Sequence, residues 1–159
     1  SVKGGFGARP NKDGINALSS GIANTMNTPI EALEMSFPLR VDCYELIPDS
    51  GGDGKYRGGL GTRRAWTVLE NTARATVCME RTKSPPFGVA GGGNGSTSKA
   101  TLKYPDGTER TLPSKGSFDV PPGGQVVLEA PGSGGYGDPA ERHTAARQND
   151  LEDGYVTGK

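Results

Sequence analysis

In RVDCYELIPDSGGDGKYRGGLGTRRAW, residues 40–66, a strand-like run breaks into a glycine-saturated loop and then resumes. Six of the thirteen residues at 49–61 are glycine, so this stretch has little side-chain surface to bury. A loop of that kind is usually demanded by a site or by a partner surface. The rest of the chain shares the bias: there are 26 glycines and 12 prolines, while Leu, Ile, Val and Phe together number 27 of 159 residues. Turns therefore dominate, and the apolar content suffices only for a small core. Lys and Arg balance Asp and Glu at 18 each, so self-repulsion does not oppose compaction. These features predict one domain or part of one, with a small β-rich core under many loops, completed by burying surface against another chain.

The same balance narrows the partners. No basic stripe is interleaved with aromatics, which argues against nucleic acid. No apolar run approaches the roughly 20 residues that span a bilayer, and no charged-then-apolar leader precedes the fold. Cys43 and Cys78 lie far apart, each within an apolar strand-like run, as expected of two buried thiols in a cytoplasmic protein; a disulfide is the alternative. The first residue is Ser1, which suits a processed or cleaved piece of a longer chain.

Punctuation along the chain predicts three parts. Residues 1–38 read as an extended loop segment followed by a short helix, in which Thr28 caps, Pro29 takes the first turn, Glu31 bonds back to the cap and Phe37-Pro38 ends the run. Residues 39–137 read as the β-rich part. Leu39, Val41 and Cys43 alternate with Arg40, Asp42 and Tyr44, and the pattern returns at 65–69 and 73–79 around a turn at Glu70-Asn71. Pro105-Asp106-Gly107 joins strands at 100–104 and 108–112 in a hairpin, and Pro121-Pro122-Gly123-Gly124 separates 117–120 from 125–130. Residues 138–159 form a helical tail, with Asp138 capping a helix over about 139–149 and Gly154 stopping a further turn. The expected fold is mainly β: an antiparallel sandwich or barrel-like domain with glycine-rich loops, a short N-terminal helix and a C-terminal helix.

No familiar catalytic set is complete. Gly132, Gly134 and Gly137 spell GxGxxG between a strand and a helix, yet the chain ends before the second parallel strand and acid that a dinucleotide site needs. Gly54-Lys55 is not a P-loop, because Asp49 stands where the first glycine belongs and Tyr56 replaces the Ser or Thr that holds magnesium. Gly51–Gly54 has two readings: a backbone nest for an anion with Arg57 behind it, or a tight turn at a subunit contact. His143 is the only histidine and falls on the terminal helix, where a solvated face is ordinary, so no zinc site is expected. There is no GxSxG, and neither cysteine has a histidine partner. What remains is a set of polar residues in constrained loops, namely Arg9, Asp13, Asn24, Asn27, Arg57 and Arg81, each either satisfying loop backbone or reaching a ligand.

Five ordered segments are more specific: GGFGARPNKDG at 4–14, NTMNTPIEALEMSFPLRVDCYEL at 24–46, DSGGDGKYRGGLG at 49–61, ERTKSPPFGVAGG at 80–92 and PGSGGYGDPAER at 131–142. In this order they resemble the C-terminal part of hydantoinase B/oxoprolinase proteins, a family several times longer than this chain. That family includes the B component of ATP-dependent N-methylhydantoinases, the B-like half of 5-oxoprolinase and related subunits of acetone and acetophenone carboxylases. The resemblance implies a hetero-oligomer in which an A-type partner binds ATP and Mg and phosphorylates a carbonyl or lactam oxygen, and the B-type component completes ring hydrolysis. Phosphorylation makes sense because an amide is a poor electrophile and its oxygen a poor leaving group.

The resemblance further implies that a divalent metal and the catalytic residues belong to the B-type portion outside this chain, which itself carries no catalytic residue, metal or cofactor. Arg57, Arg81, Asn24, Asn27 and Asp13 are then the residues expected to line a substrate pocket. The leading expectation is a subunit or C-terminal fragment of an ATP-dependent amidohydrolase acting on a cyclic amide. The small subunit of an ATP-dependent ketone carboxylase, or a non-catalytic assembly module, is the alternative.

Overall fold

The computed structural model describes residues 2–19, 23 and 26–158. Seven strands follow a short helix: α1 Ile30–Ser36, β1 Leu39–Leu46, β2 Thr62–Val68, β3 Ala73–Cys78, β4 Lys99–Lys103, β5 Glu109–Thr111, β6 Lys115–Val120 and β7 Gln125–Glu129, before a 3-10 turn at Pro139–Glu141 and helix α2 at Thr144–Glu152. The strands form two antiparallel sheets, one in the order β1-β2-β7-β4-β5 and one of β3 with β6. Among the described residues the larger sheet keeps two edges and no barrel closes, so the result is sandwich-like.

The hairpin at 105–107 forms as its turn residues demand, with Leu102 opposite Arg110 and Lys103 opposite Glu109. The two neighbouring turns do different work. Asn71, at φ 54°, carries the chain out of the large sheet, so β2 and β3 lie in separate layers. Pro121–Gly124 returns it, with Gly123 N donating to Val68 O at 2.7 Å. Sequence adjacency suggests hairpins at both places; the crossovers instead let apolar faces meet. Val68, Ala100, Leu102 and Val126 from one layer pack with Val77 and Val120 from the other, and Leu112 joins them. Burying such side chains is worth about 1.5–3 kcal/mol each.

Three local expectations are corrected. Thr28 does not cap α1: the helix begins after Pro29 with no side-chain cap bond, and Glu34 instead accepts from Val41 N at 2.7 Å, fastening the helix to β1. Asp138 does cap, accepting from Ala140 N at 2.8 Å, but the helix stops after one 3-10 turn because Arg142 is extended, at φ −65° and ψ 126°. His143 then caps α2, its Nδ1 accepting from Ala145 N at 3.3 Å, and Gly154 at φ 69° ends the turn beyond it. The thiols are not both buried: Cys43 is half-buried and Cys78 is exposed.

The glycine segments build a second packed region. Residues 4–8, 13–17, 49–61, 86–95 and 131–137 run past one another without sheet ladders, each bonding to several neighbours. Gly59 N donates to Phe6 O while Gly59 O accepts from Ser133 N, both at 2.9 Å, and Gly52 N donates to Ser133 O at 2.8 Å. Backbone meets backbone because no Cβ intervenes. One added to Gly5 would lie 1.9 Å from the Gly59 carbonyl oxygen, and one on Gly134 the same distance from that of Phe87. Residues 57–61 are buried and Leu60 is fully enclosed, so this half of the loop is interior, while Asp49, Asp53 and Lys55 in the other half stay exposed. Here main chain does the work that large side chains do elsewhere, which explains how a chain short of Leu and Ile encloses an interior.

Candidate functional site

Four charged residues from distant parts of the chain converge beside the glycine bundle. Arg57 donates through Nε to Asp150 Oδ1 at 3.2 Å and through Nη1 to Gly58 O at 2.7 Å and Asn16 Oδ1 at 3.4 Å, while its guanidinium lies 4.9 Å from the centre of the Tyr155 ring. Asp13 accepts from the Arg57 backbone N–H at 2.7 Å. Arg142 completes the set, donating to both oxygens of Asp13 and, through Nε and Nη2, to Asp150 Oδ2 at 3.0 and 2.6 Å. The broken helix at Arg142 is what aims this side chain inward. Burial pushes the Asp13 carboxyl up, but the Arg142 fork and the Arg57 N–H outweigh it and hold the group below the usual aspartate range. The same contact with Asp13 holds the proton more firmly on Arg142, against the opposing effect of burial.

Arg57, Arg142 and Asp150 of this cluster line an open cleft of about 590 Å³, together with Asp49, Asp53, Asn94 and Arg147, while Asp13 is not among the lining residues. Arg57 thus reaches the cleft with its Nε and Nη1 donors engaged. Gly52 N–H is spent on Ser133, so Gly51–Gly54 does not present an open row of donors. Asp13 and Asp150 face guanidinium groups and do not fit a cation, and among the described residues no group of three or more metal-binding side chains converges.

Arg81 lies elsewhere. Its backbone is in the left-handed region at φ 61°, pinned by Ser98 N donating to Arg81 O at 3.0 Å. Its exposed side chain lines a second cleft, of about 480 Å³, between the two sheets, together with Trp66, Met79, Leu128 and Ala130. Asn27 is exposed and donates to the Tyr44 hydroxyl at 3.3 Å. Arg9 pairs its backbone with Lys12, and its Nε is buried with no acceptor among the described residues. Asn24 lies outside the described residues. The sequence-selected residues therefore divide: Asp13 and Arg57 share the ionic cluster, while Arg81 and Asn27 stand apart from it.

Residues 1–139 match the family model for hydantoinase B/oxoprolinase. The chain belongs to that family. The hydantoinase B-type chain is 35% identical over 158 residues to the B component of a putative D-/L-hydantoinase of Pseudomonas sp. (strain NS671), covering 98% of this chain and 26% of that protein. The crystal structure of the ATP-dependent caprolactamase from Pseudomonas jessenii superposes with a TM-score of 0.86 at 34% identity, over 98% of this chain and 28% of that one. The nucleotide-free structure of an acetone carboxylase shares the fold, with a TM-score of 0.76 at 20% identity over 98% of this chain and 25% of that one. The chain thus spans about a quarter of the length of these relatives. Among the described residues no helix is long and apolar enough to cross a membrane.

In this hydantoinase B-type domain, sequence reasoning missed Arg142, Asp150, Asn16 and Tyr155. Arg142 closes the segment PGSGGYGDPAER, which offered a signal. Asp150 offered none, since one acid on a polar helix reads as solvated.

Proposed function

We propose that this chain is part of a B-type subunit of an ATP-dependent amidohydrolase acting on a cyclic amide that an A-type partner activates. The observation that carries this reading is the likeness to the caprolactamase over nearly the whole chain. ATP and Mg on the partner supply the activation that an unreactive amide needs. The residues of this chain bind and orient. Among the proposed substrate contacts, Arg81 is the strongest, because its guanidinium has no partner among the described residues and stands at a cleft of ligand size. Asn27 and Asn24 precede β1, while Arg57 and Asp13 fix the wall of the larger cleft. The reacting centre is assigned to the B-type portion outside this chain, and the compartment is assigned as the cytoplasm.

The test is alanine substitution within an assembly co-expressed with A-type and B-type partners. Arg81→Ala is expected to lower turnover of a lactam or hydantoin at least tenfold, with assembly on a sizing column unchanged. Arg57→Ala is expected to weaken assembly and turnover together. If Arg81→Ala leaves turnover intact, the chain is an assembly module. If carboxylation of a ketone, and no ring hydrolysis, is the activity found, the carboxylase alternative replaces this reading.

A further inference from the structure

Arg64 is a buried cation without a counter-ion among the described residues. The residue is 5% exposed on the core face of β2, and its Nε is fully enclosed with no hydrogen-bond acceptor. No carboxylate or carbonyl among the described residues accepts from the other nitrogens either. What surrounds the guanidinium is aromatic: its carbon lies 5.1 Å from the centre of the Tyr44 ring and 5.0 Å from that of Trp66. These contacts offset part of the desolvation of the charge but give its donors nothing to bond. The other buried arginine and aspartate among the described residues, Arg57 and Asp150, are paired with each other. An orphaned charge in such a setting calls for a missing acceptor.

The surroundings indicate its chemistry. Trp66 also lines the 480 Å³ cleft between the sheets, where Arg81 brings a second unpaired guanidinium. Glu80 is the one carboxylate among the lining residues, and it is taken by Lys115 at 3.0 Å. The apolar walls come from Val77, Met79 and Leu128. The opposite wall of the guanidinium, Tyr44, is 39% exposed and is held by Asn27. A coplanar fork of N–H donors matches the two oxygens of a carboxylate.

We propose that Arg64, with Tyr44 and Trp66, is a receptor for a carboxylate that bears an apolar tail, the head paired with Arg64 and the tail against Met79 and Leu128. The carboxylate comes either from a free small molecule or from an acidic side chain of the longer B-type polypeptide. The inference rests on the geometry of Arg64 and not on the reaction assigned to the assembly.

Trp66 is the only tryptophan, so its fluorescence reads the site directly. The purified chain is titrated with sodium acetate and sodium hexanoate against sodium chloride at matched ionic strength. A free ligand predicts a saturable change in Trp66 emission, with hexanoate half-saturating at a concentration at least tenfold below acetate, and loss of the response in Arg64→Met. Tyr44→Leu, which keeps Arg64, is expected to weaken binding about fivefold and serves if Arg64→Met does not fold. A side-chain source predicts no response to either acid, but a shift of Trp66 emission when the chain assembles with the remaining B-type polypeptide, abolished by Arg64→Lys. Assembly is read separately on a sizing column. A carboxylate response no larger than that of chloride, combined with no assembly or with an unaltered Trp66 spectrum in the assembly, overturns the proposal.

Discussion

Arg142 grips Asp13 with both arms of its fork, Nη1 to Oδ1 at 2.8 Å and Nη2 to Oδ2 at 2.9 Å, across 129 positions of sequence. The pair ties the N-terminal segment to the region just before α2, and Asp150 and Arg57 extend the tie into the glycine bundle. Three stretches that contribute little apolar surface are thereby locked together by charge.

Removing Arg142 takes the guanidinium fork from Asp13 and leaves Arg57 as the one cation of the cluster, paired with Asp150. Taking one partner from a buried ion pair costs about 3–5 kcal/mol. Asp13 retains 35% of its side-chain exposure, so water recovers part of that loss, and Arg142→Met is expected to cost about 3 kcal/mol. Urea unfolding followed by far-UV circular dichroism measures it. A change under about 1 kcal/mol would show that the cluster is solvated in solution.

The same pair sets an acid limit. The Asp13 carboxyl titrates below the ordinary 3.8 in the folded chain, so folding favours its ionised form. The stability it contributes is present above about pH 4 and is lost as pH falls through its lower folded value. Asp42, held low against burial by Thr67, Arg40 and Gln125, acts in the same direction. The gap in Tm between wild type and Asp13→Asn is therefore expected to be widest near pH 6 and to narrow steadily below pH 4. A gap independent of pH between 2 and 6 contradicts the assignment.

Much of the fold was legible because its signals are local. Turn residues at 105–107 and alternation at 39–44 need no tertiary context, and β4–β5 and β1 form where they predict. What failed depends on contacts across the chain. The extended backbone at Arg142 divides an otherwise plausible helix for the sake of Asp13, which lies far off in sequence. The crossover at Asn71 was hidden because a turn sequence does not say which strand comes to lie beside the next. Arg64 was passed over for a similar reason: in TRRAW it reads as one more polar strand residue, and only the register that sets Tyr44 beside it reveals a charge without a partner among the described residues.

The two thiols should separate chemically. Burial, with Glu45 adding to it, pushes the Cys43 thiol up, while Cys78 is exposed. Because the thiolate is the reactive form, one thiol is expected to react quickly with Ellman's reagent at pH 8 and the other at least about tenfold more slowly. Cys78→Ser should abolish the fast phase and Cys43→Ser the slow one. Equal rates would place Cys43 at the surface.

Gly5 and Gly7 provide the sharpest test of the backbone packing, since two residues separate opposite outcomes. A Cβ at Gly5 would stand 1.9 Å from the Gly59 carbonyl oxygen and 2.3 Å from its carbon, both main-chain atoms of a buried segment that cannot yield as a flexible side chain does. At Gly7 nothing lies within 4 Å of the same position, and its φ is not in the left-handed region. Gly7→Ala is expected to be neutral or to stabilise by up to about 1 kcal/mol, by restricting the unfolded chain. Gly5→Ala must displace one segment of the bundle from another and is expected to cost about 3 kcal/mol or more. Thermal unfolding of the two variants side by side decides the matter: equal Tm values would mean that the segments do not pack backbone to backbone in solution.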